Sequence, residues 1–280
     1  MRILEIVKVI IIGVVEGITE WLPISSTGHM ILLDEFISLD LSEEFLSMFL
    51  VVIQLGAIFA VPVIFWDRLW PFSKRKNREE KRQTLDLWLR VFVGSAPAAL
   101  LGFLLDDLLD RYFYSYFVVA IALIVYGIAF IFVEKIKAER KSRLKSLGEL
   151  TFVDALKIGA FQSLSLIPGT SRSGSTILGG MLIGASREAG AEFSFFMAIP
   201  IMAGASLLKI LKLALSGYSA DPYEILLLLI GMTVSFIVSV AVIRFLMDYV
   251  KRHSFRGFGY YRIALGIIVL FYFLIKLPKR

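Results

Sequence analysis

Glu16 and Glu20 stand four residues apart inside an apolar stretch, with residues 10–15 before them and Trp21-Leu22 after. A spacing of four puts both carboxylates on one helix face. Ionisable residues inside apolar segments are functional candidates by default. Two charges about 6 Å apart at an effective dielectric of about 20 repel by roughly 3 kcal/mol. A divalent cation, a shared proton or a nearby arginine must offset that. Oxygen-only ligands favour Mg²⁺ or Ca²⁺ over zinc, and the chain has no cysteine to add a sulfur ligand. A second group is Thr170-Ser171-Arg172-Ser173-Gly174-Ser175-Thr176, ahead of an apolar helix expected to start near Ile177. Hydroxyls, backbone amides at a helix start and one guanidinium make an anion site suited to phosphate. An ordinary N-cap explains one hydroxyl residue there, but not an arginine flanked by several.

His29 follows Ser25-Ser26-Thr27-Gly28 and is one of two histidines. The other, His253, lies among basic residues and reads as solvated. A hydroxyl, an imidazole and two carboxylates in one interrupted segment supply a nucleophile, an acid/base and metal ligands. Glycines and small residues at 179–185 and 203–206 read as close helix packing. No G-x-S-x-G, HExxH, Walker A or dinucleotide fingerprint is present.

The elements that position these groups are transmembrane. Of the 280 residues, 58% are hydrophobic and 19% charged, against about 45–50% apolar in a soluble domain. Six stretches are long enough to cross a hydrocarbon core of about 30 Å: 45–66, 87–105, 115–134, 193–215, 224–247 and 261–277. The fold class is therefore all-α and polytopic. A soluble enzyme, a disulfide scaffold and a disordered chain are excluded. Glu5 and Lys8 interrupt the first apolar run, which has no small-residue cleavage site, so it does not read as a signal peptide. Two further stretches, 3–33 and 151–184, break at residues 21–29 and 167–174. Broken backbone survives at membrane depth only when protein or a water-filled cavity covers it, so both read as re-entrant helix hairpins.

Net charge is +6, and its placement points to orientation, not to nucleic acid. The segment 67–90 carries eight Lys and Arg, 135–150 six, and 248–262 includes Lys251, Arg252, Arg256 and Arg262. Segments 34–44, 106–114 (Asp106, Asp107, Asp110, Arg111) and 216–224 are poor in bases. Six spans with two re-entrants put every basic loop in the cytoplasm and both termini outside. The chain also repeats itself. Residues 12–16 line up with 158–162, Pro23–Ser26 with Pro168–Ser171, Gly28 with Gly174, and 44–57 with 192–205, at offsets of 145–148. Three intervening spans make the repeat inverted, about 1–134 and 151–280 joined by a basic cytoplasmic linker, within one membrane domain of residues 1–280. A binding site belongs where the two breaks face each other.

These motifs, residues 16–29 and 168–176, resemble the undecaprenyl-diphosphate phosphatase family, the bacitracin-resistance type of integral membrane phosphatase. The resemblance covers essentially the whole chain. It implies hydrolysis of undecaprenyl pyrophosphate to undecaprenyl phosphate and inorganic phosphate. That recycles the lipid carrier for peptidoglycan, and bacitracin acts by sequestering the pyrophosphate. Carried over, Glu16 and Glu20 hold a divalent cation and Ser26 and His29 are catalytic. Arg172 is both catalytic and pyrophosphate-binding, beside Ser171, Ser173, Thr176, Ser25 and Thr27. Ser26 is expected to attack phosphorus, activated by a glutamate or by His29; attack by His29 itself or by water are the alternatives. The expected setting is the bacterial inner membrane, with the site opening to the periplasmic side. Expected partners are a polyprenyl pyrophosphate and membrane lipid, with homo-oligomerisation left open. One rival reading is a lipid-carrier transporter or flippase, since inverted repeats with broken helices mark transporters. The other is the acid-phosphatase-like family of lipid phosphatases, whose second histidine, downstream of its arginine, has no counterpart after Arg172.

Overall fold

The computed structural model describes residues 2–113, 115–139 and 142–276, with side chains 106–112 and 138 outside the description. Arg140 and Lys141 of the basic linker, and the acidic side chains of Asp106, Asp107 and Asp110, lie outside the described residues. The chain runs α1 (Arg2–Thr19), α2 (Ser26–Asp34), α3 (Glu43–Ile64), α4 (Trp66–Leu69), α5 (Arg78–Phe113), α6 (Tyr116–Ala138), α7 (Phe152–Ser163), α8 (Arg172–Leu182), α9 (Arg187–Leu215), α10 (Pro222–Arg252) and α11 (Arg256–Lys276). Among the described residues the only strand-like feature is an isolated bridge between Leu144 and Ala185.

Six helices, α3, α5, α6, α9, α10 and α11, are long and apolar enough to cross a membrane. They coincide with the six expected spans, but α5, α9 and α11 begin five or more residues earlier than apolarity alone indicates. α5 starts at Arg78 because Asn77 accepts the Glu80 amide at 2.9 Å while its own amide donates to Glu80 Oε2 at 2.7 Å, a reciprocal cap. α11 starts at Arg256, which carries Arg262 nearly two turns into a helix and out of the loop to which charge counting assigned it. The two interrupted stretches become helix pairs, α1 (about 27 Å at 1.5 Å per residue) with α2 and α7 with α8. At 1.5 Å per residue α7 and α8 reach only about 18 and 17 Å, and α2 about 14 Å, well short of a hydrocarbon core of about 30 Å.

The helix pairings repeat. α1 packs on α10 as α7 packs on α5, and α3 packs on α10 as α9 packs on α5. α2 touches α11 as α8 touches α6, while α3 meets α9 and α6 meets α11. Small residues permit the closest crossings. A Cβ on Gly127 would stand 2.7 Å from the Gly259 carbonyl, and one on Gly259 2.8 Å from that of Gly127. Gly179 likewise sits against Phe161, but Gly204 faces open space, so the small residues at 203–206 are not all packing contacts. The largest core cluster gathers Trp21, Phe193, Phe195, Phe196, Ile177 and Met181 around the two breaks.

Several arginines, two of them in the base-rich segments, are structural partners. Arg68 pairs with Glu192, Arg143 with Asp154 at 2.6 Å, and Arg187 clasps the buried Glu134 at 2.8 and 2.5 Å. Glu134 Oε1 also accepts the Phe255 amide at 2.8 Å, so one carboxylate ties α6, α9 and the start of α11.

Candidate active site

Each break ends on a serine in an unusual backbone conformation. Ser25 has φ 75° and Ser171 φ 72°; they are the only non-glycine residues at positive φ among those described. Such conformations cost on the order of 1–3 kcal/mol and persist where surrounding structure holds them. Both serines cap the helix that follows. Ser25 Oγ accepts the Gly28 amide at 3.3 Å, and Ser171 Oγ the Gly174 amide at 3.1 Å. The caps equate Ser25 with Ser171 and hence Ser26 with Arg172, one residue off the alignment that pairs Ser26 with Ser171. They also move α8's start back from Ile177 to Arg172, because Ser171 supplies the orphan helix amide with a partner.

The two helix starts meet at Glu20. Arg172 Nη2 donates to Glu20 Oε1 at 2.9 Å, across 152 residues of chain, and Ser26 Oγ donates to Glu20 Oε2 at 3.2 Å. Arg172 Nη1 donates to the Ser194 carbonyl at 2.8 Å, and the guanidinium carbon lies 5.6 Å from the centre of the buried Trp21 ring. Trp21 meets Phe195 edge to face at 5.2 Å. Glu16 and Glu20 are buried, and Glu16 lies within the field of both Glu20 and Arg172. Glu16 Oε1 and Arg172 Nε are buried without a hydrogen-bond partner. Buried polar atoms are nearly always satisfied, so these two mark where a ligand atom or water belongs.

The remaining expected site residues divide. Ser173 Oγ donates to the Glu20 carbonyl at 3.0 Å, fastening the second break to the first. Thr176 Oγ1 donates to the Arg172 carbonyl at 2.9 Å and lies 2.6 Å from Ser194 Oγ. The Ser25 and Ser171 hydroxyls are occupied as caps. Thr27 stands in the first turn of α2, half-buried. His29 is turned elsewhere: Nδ1 lies 2.7 Å from the Ser25 carbonyl and Nε2 2.7 Å from Tyr261 Oη. A carbonyl only accepts, so Nδ1 carries the proton, and in the neutral ring Nε2 accepts from the tyrosine. The two rings stack at 5.6 Å and 7°. His253 is exposed, as expected.

Two participants escaped the sequence reading. Tyr261 is an unremarkable aromatic in an apolar run. Arg262 was counted among cytoplasmic charges, yet it is fully buried on α11 and bonds both breaks. Its six-residue distance from the α11 start is a signal available once that start is placed correctly.

The chain matches the model of the family described as bacitracin resistance protein BacA over residues 9–268. It is similar to the undecaprenyl-diphosphatase of Acetivibrio thermocellus, 55% identical over 271 residues, which cover 97% of this chain and 98% of the relative. Undecaprenyl-diphosphatase 1 of Clostridioides difficile is also 55% identical, over 97% of each chain. The undecaprenyl-diphosphatase of Enterococcus faecalis is 54% identical over 95% of this chain and 96% of its own.

Proposed function

We propose how the site works from one premise: the chain belongs to the bacitracin resistance protein BacA family and is an undecaprenyl-diphosphatase, a multi-pass membrane enzyme. It converts undecaprenyl pyrophosphate to undecaprenyl phosphate and inorganic phosphate. The observation that carries the residue assignment is the Arg172–Glu20–Ser26 contact, in which one carboxylate, the base, meets both an anion-binding cation and a nucleophile.

Arg172 binds the pyrophosphate beside the N-terminal turn of α8, where the helix dipole adds favourable potential. Ser26 is the nucleophile. Its Oγ–H already points at Glu20 within the range for general-base catalysis. As Oγ bonds to the terminal phosphorus, the proton passes to Glu20. The bond from phosphorus to the bridging oxygen breaks, and undecaprenyl phosphate leaves. Glu20 gives up that proton to solvent as undecaprenyl phosphate departs; water then attacks the phosphoserine, passing its proton to Glu20, which delivers it to the departing Ser26 Oγ as inorganic phosphate leaves. Ser171, Ser173, Thr176 and Ser25 hold the two breaks in shape, and Ser26 and Thr27 face the substrate. His29, held by Ser25 and Tyr261, orients the first turn of α2; its direct phosphorylation is the rival chemistry.

Glu16 and Glu20 suit a divalent cation: one Glu16 oxygen is buried and unpartnered, and both donors are hard oxygens. Among the described residues no cluster of three or more acidic, histidine or cysteine groups forms. That sparse set matches Mg²⁺, which binds through one or two carboxylates and completes its shell with water and substrate phosphate oxygens. Held by Glu16 and Glu20, such an ion would neutralise charge developing on the transferred phosphoryl group.

The self-matching helix pairings and the twin serine caps support the reading of the chain as two inverted repeats with re-entrant hairpins. The base-rich segments support a setting in the bacterial inner membrane with those loops in the cytoplasm; the opening of the site to the periplasmic side follows from the family resemblance. Purified protein in detergent should release phosphate from a polyprenyl pyrophosphate without any gradient. No release would leave the transporter reading standing. Acid-stable phosphoserine trapped at residue 26 supports the assignment, whereas acid-labile phosphohistidine at residue 29 transfers the role to His29. If a single turnover with less than one equivalent of enzyme labels the released phosphate from oxygen-18 water without any trapped adduct, water is the nucleophile.

A further inference from the structure

Arg262 has no place in the chemistry above, yet it touches both halves of the site. Its side chain is fully buried on the apolar face of α11, 239 residues along the chain from Pro23 of the first break. Nη1 donates to the Pro23 carbonyl at 3.2 Å, and Nη2 donates to the carbonyls of Gly169 and Thr170 at 2.9 Å each. Pro23 stands two residues before the capping Ser25, and Gly169 two residues before the capping Ser171. One planar fork therefore grips the same position in each break. The fit is close. A Cβ on Gly174 would lie 3.2 Å from Nη1, and one on Gly169, whose φ is +89°, would strike the Val119 backbone at 2.6 Å. The Tyr126 ring lies under the guanidinium at 5.5 Å.

The charge is as informative as the fork. Among the described residues no carboxylate pairs with Arg262; carbonyl oxygens are its hydrogen-bond acceptors, and Nε is buried without a partner. A buried cation without a counter-ion is costly, and holding one beside two breaks that receive a polyanion leaves positive potential there for the substrate to satisfy. We propose that Arg262 is a positioning residue of the phosphatase site: its fork sets the distance between the Ser26–Glu20 and Arg172 sides, and its uncompensated charge adds to the field that draws the pyrophosphate in. This rests on the assignment of the two breaks as the active site.

Lysine keeps the charge but cannot span the three carbonyls in one plane, so the two contributions separate by substitution. Arg262→Lys and Arg262→Met would be purified beside the wild type and Arg172→Ala. Phosphate release from a polyprenyl pyrophosphate is measured per folded molecule, with thermal melting as the control. A misplacement of about 1 Å costs on the order of 100-fold. Arg262→Lys should therefore lose about that much in kcat with KM within about 3-fold of wild type. Arg262→Met should lose as much in kcat and also raise KM about 10-fold or more. Wild-type kcat per folded molecule in both variants, with only the melting temperature lowered, would make Arg262 a packing residue and overturn the proposal. Failure of both variants to fold would do the same. If Arg172→Ala keeps full activity, the active-site assignment itself fails, an outcome separate from either of these.

Discussion

The two breaks share a frame and differ in charge. Each presents a serine at positive φ, a cap closed on a glycine amide three residues on, and a carbonyl two residues before the serine bound by Arg262. Around that frame the first break carries Glu16 and Glu20. The second carries Arg172 in the position of Ser26 and Gln162 in the position of Glu16. One copy supplies the two carboxylates and the Ser26 hydroxyl, the other the guanidinium that meets Glu20; on the proposed mechanism these are the base, the nucleophile and the anion-binding cation. Neither half holds a complete phosphoryl-transfer site. The comparison shows how two similar backbone frames can carry opposite charge and meet at one ion pair.

Removing the charges on which the two breaks differ should have the largest effect. Glu20→Gln takes away both the proton acceptor for Ser26 and the partner of Arg172, and Arg172→Ala takes away the anion contact. Each should lower kcat/KM by about 10³-fold or more in a phosphate-release assay, while Arg172→Lys should recover only part because a point charge cannot reproduce the fork. Chelation comes next. EDTA should reduce activity by at least about 100-fold and Mg²⁺ restore it; full activity in excess chelator would remove the cation from Glu16 and Glu20. Making the breaks more alike is the third test. Gln162 is fully buried, with neither amide atom bonded. Gln162→Glu should therefore cost about 3 kcal/mol of stability, read as an earlier thermal transition, with turnover per folded molecule little changed. The smallest effect lies in the shared frame. Ser25→Ala and Ser171→Ala should each cost about 1–2 kcal/mol, whereas glycine at either position, free to adopt positive φ, should cost only a few tenths.

Much of this was readable in the chain. The six spans follow from uninterrupted apolar length, which lipid enforces directly. The breaks follow from proline, glycine and several hydroxyl residues clustered at 21–29 and 167–174; a lone proline does not break a span, as Pro62, Pro97 and Pro200 inside α3, α5 and α9 show. Glu16, Glu20 and Arg172 stand out because a charge in such surroundings needs a reason. What escaped depends on tertiary contact. Arg262 looks like any cytoplasmic arginine until the start of α11 is known, and Tyr261 acquires meaning only through His29. The hydroxyls of Ser25 and Ser171 read as ligands in sequence but are engaged as caps, because a local backbone amide competes for the same oxygen. His29 shares a motif with Ser26, yet the turn of α2 directs its ring toward α11.

The crossed pairing of the long helices has a consequence for how the protein unfolds. α10 closes on α1 and α3, and α5 closes on α7 and α9, so each half is completed by a helix belonging to the other. Severing the chain in the linker between α6 and α7 separates no finished unit, and a lone half would present an uncovered face wherever its missing helix should lie. The matching pairings thus do not make two cooperative units: calorimetry should record a single transition for a molecule whose helix contacts recur twice.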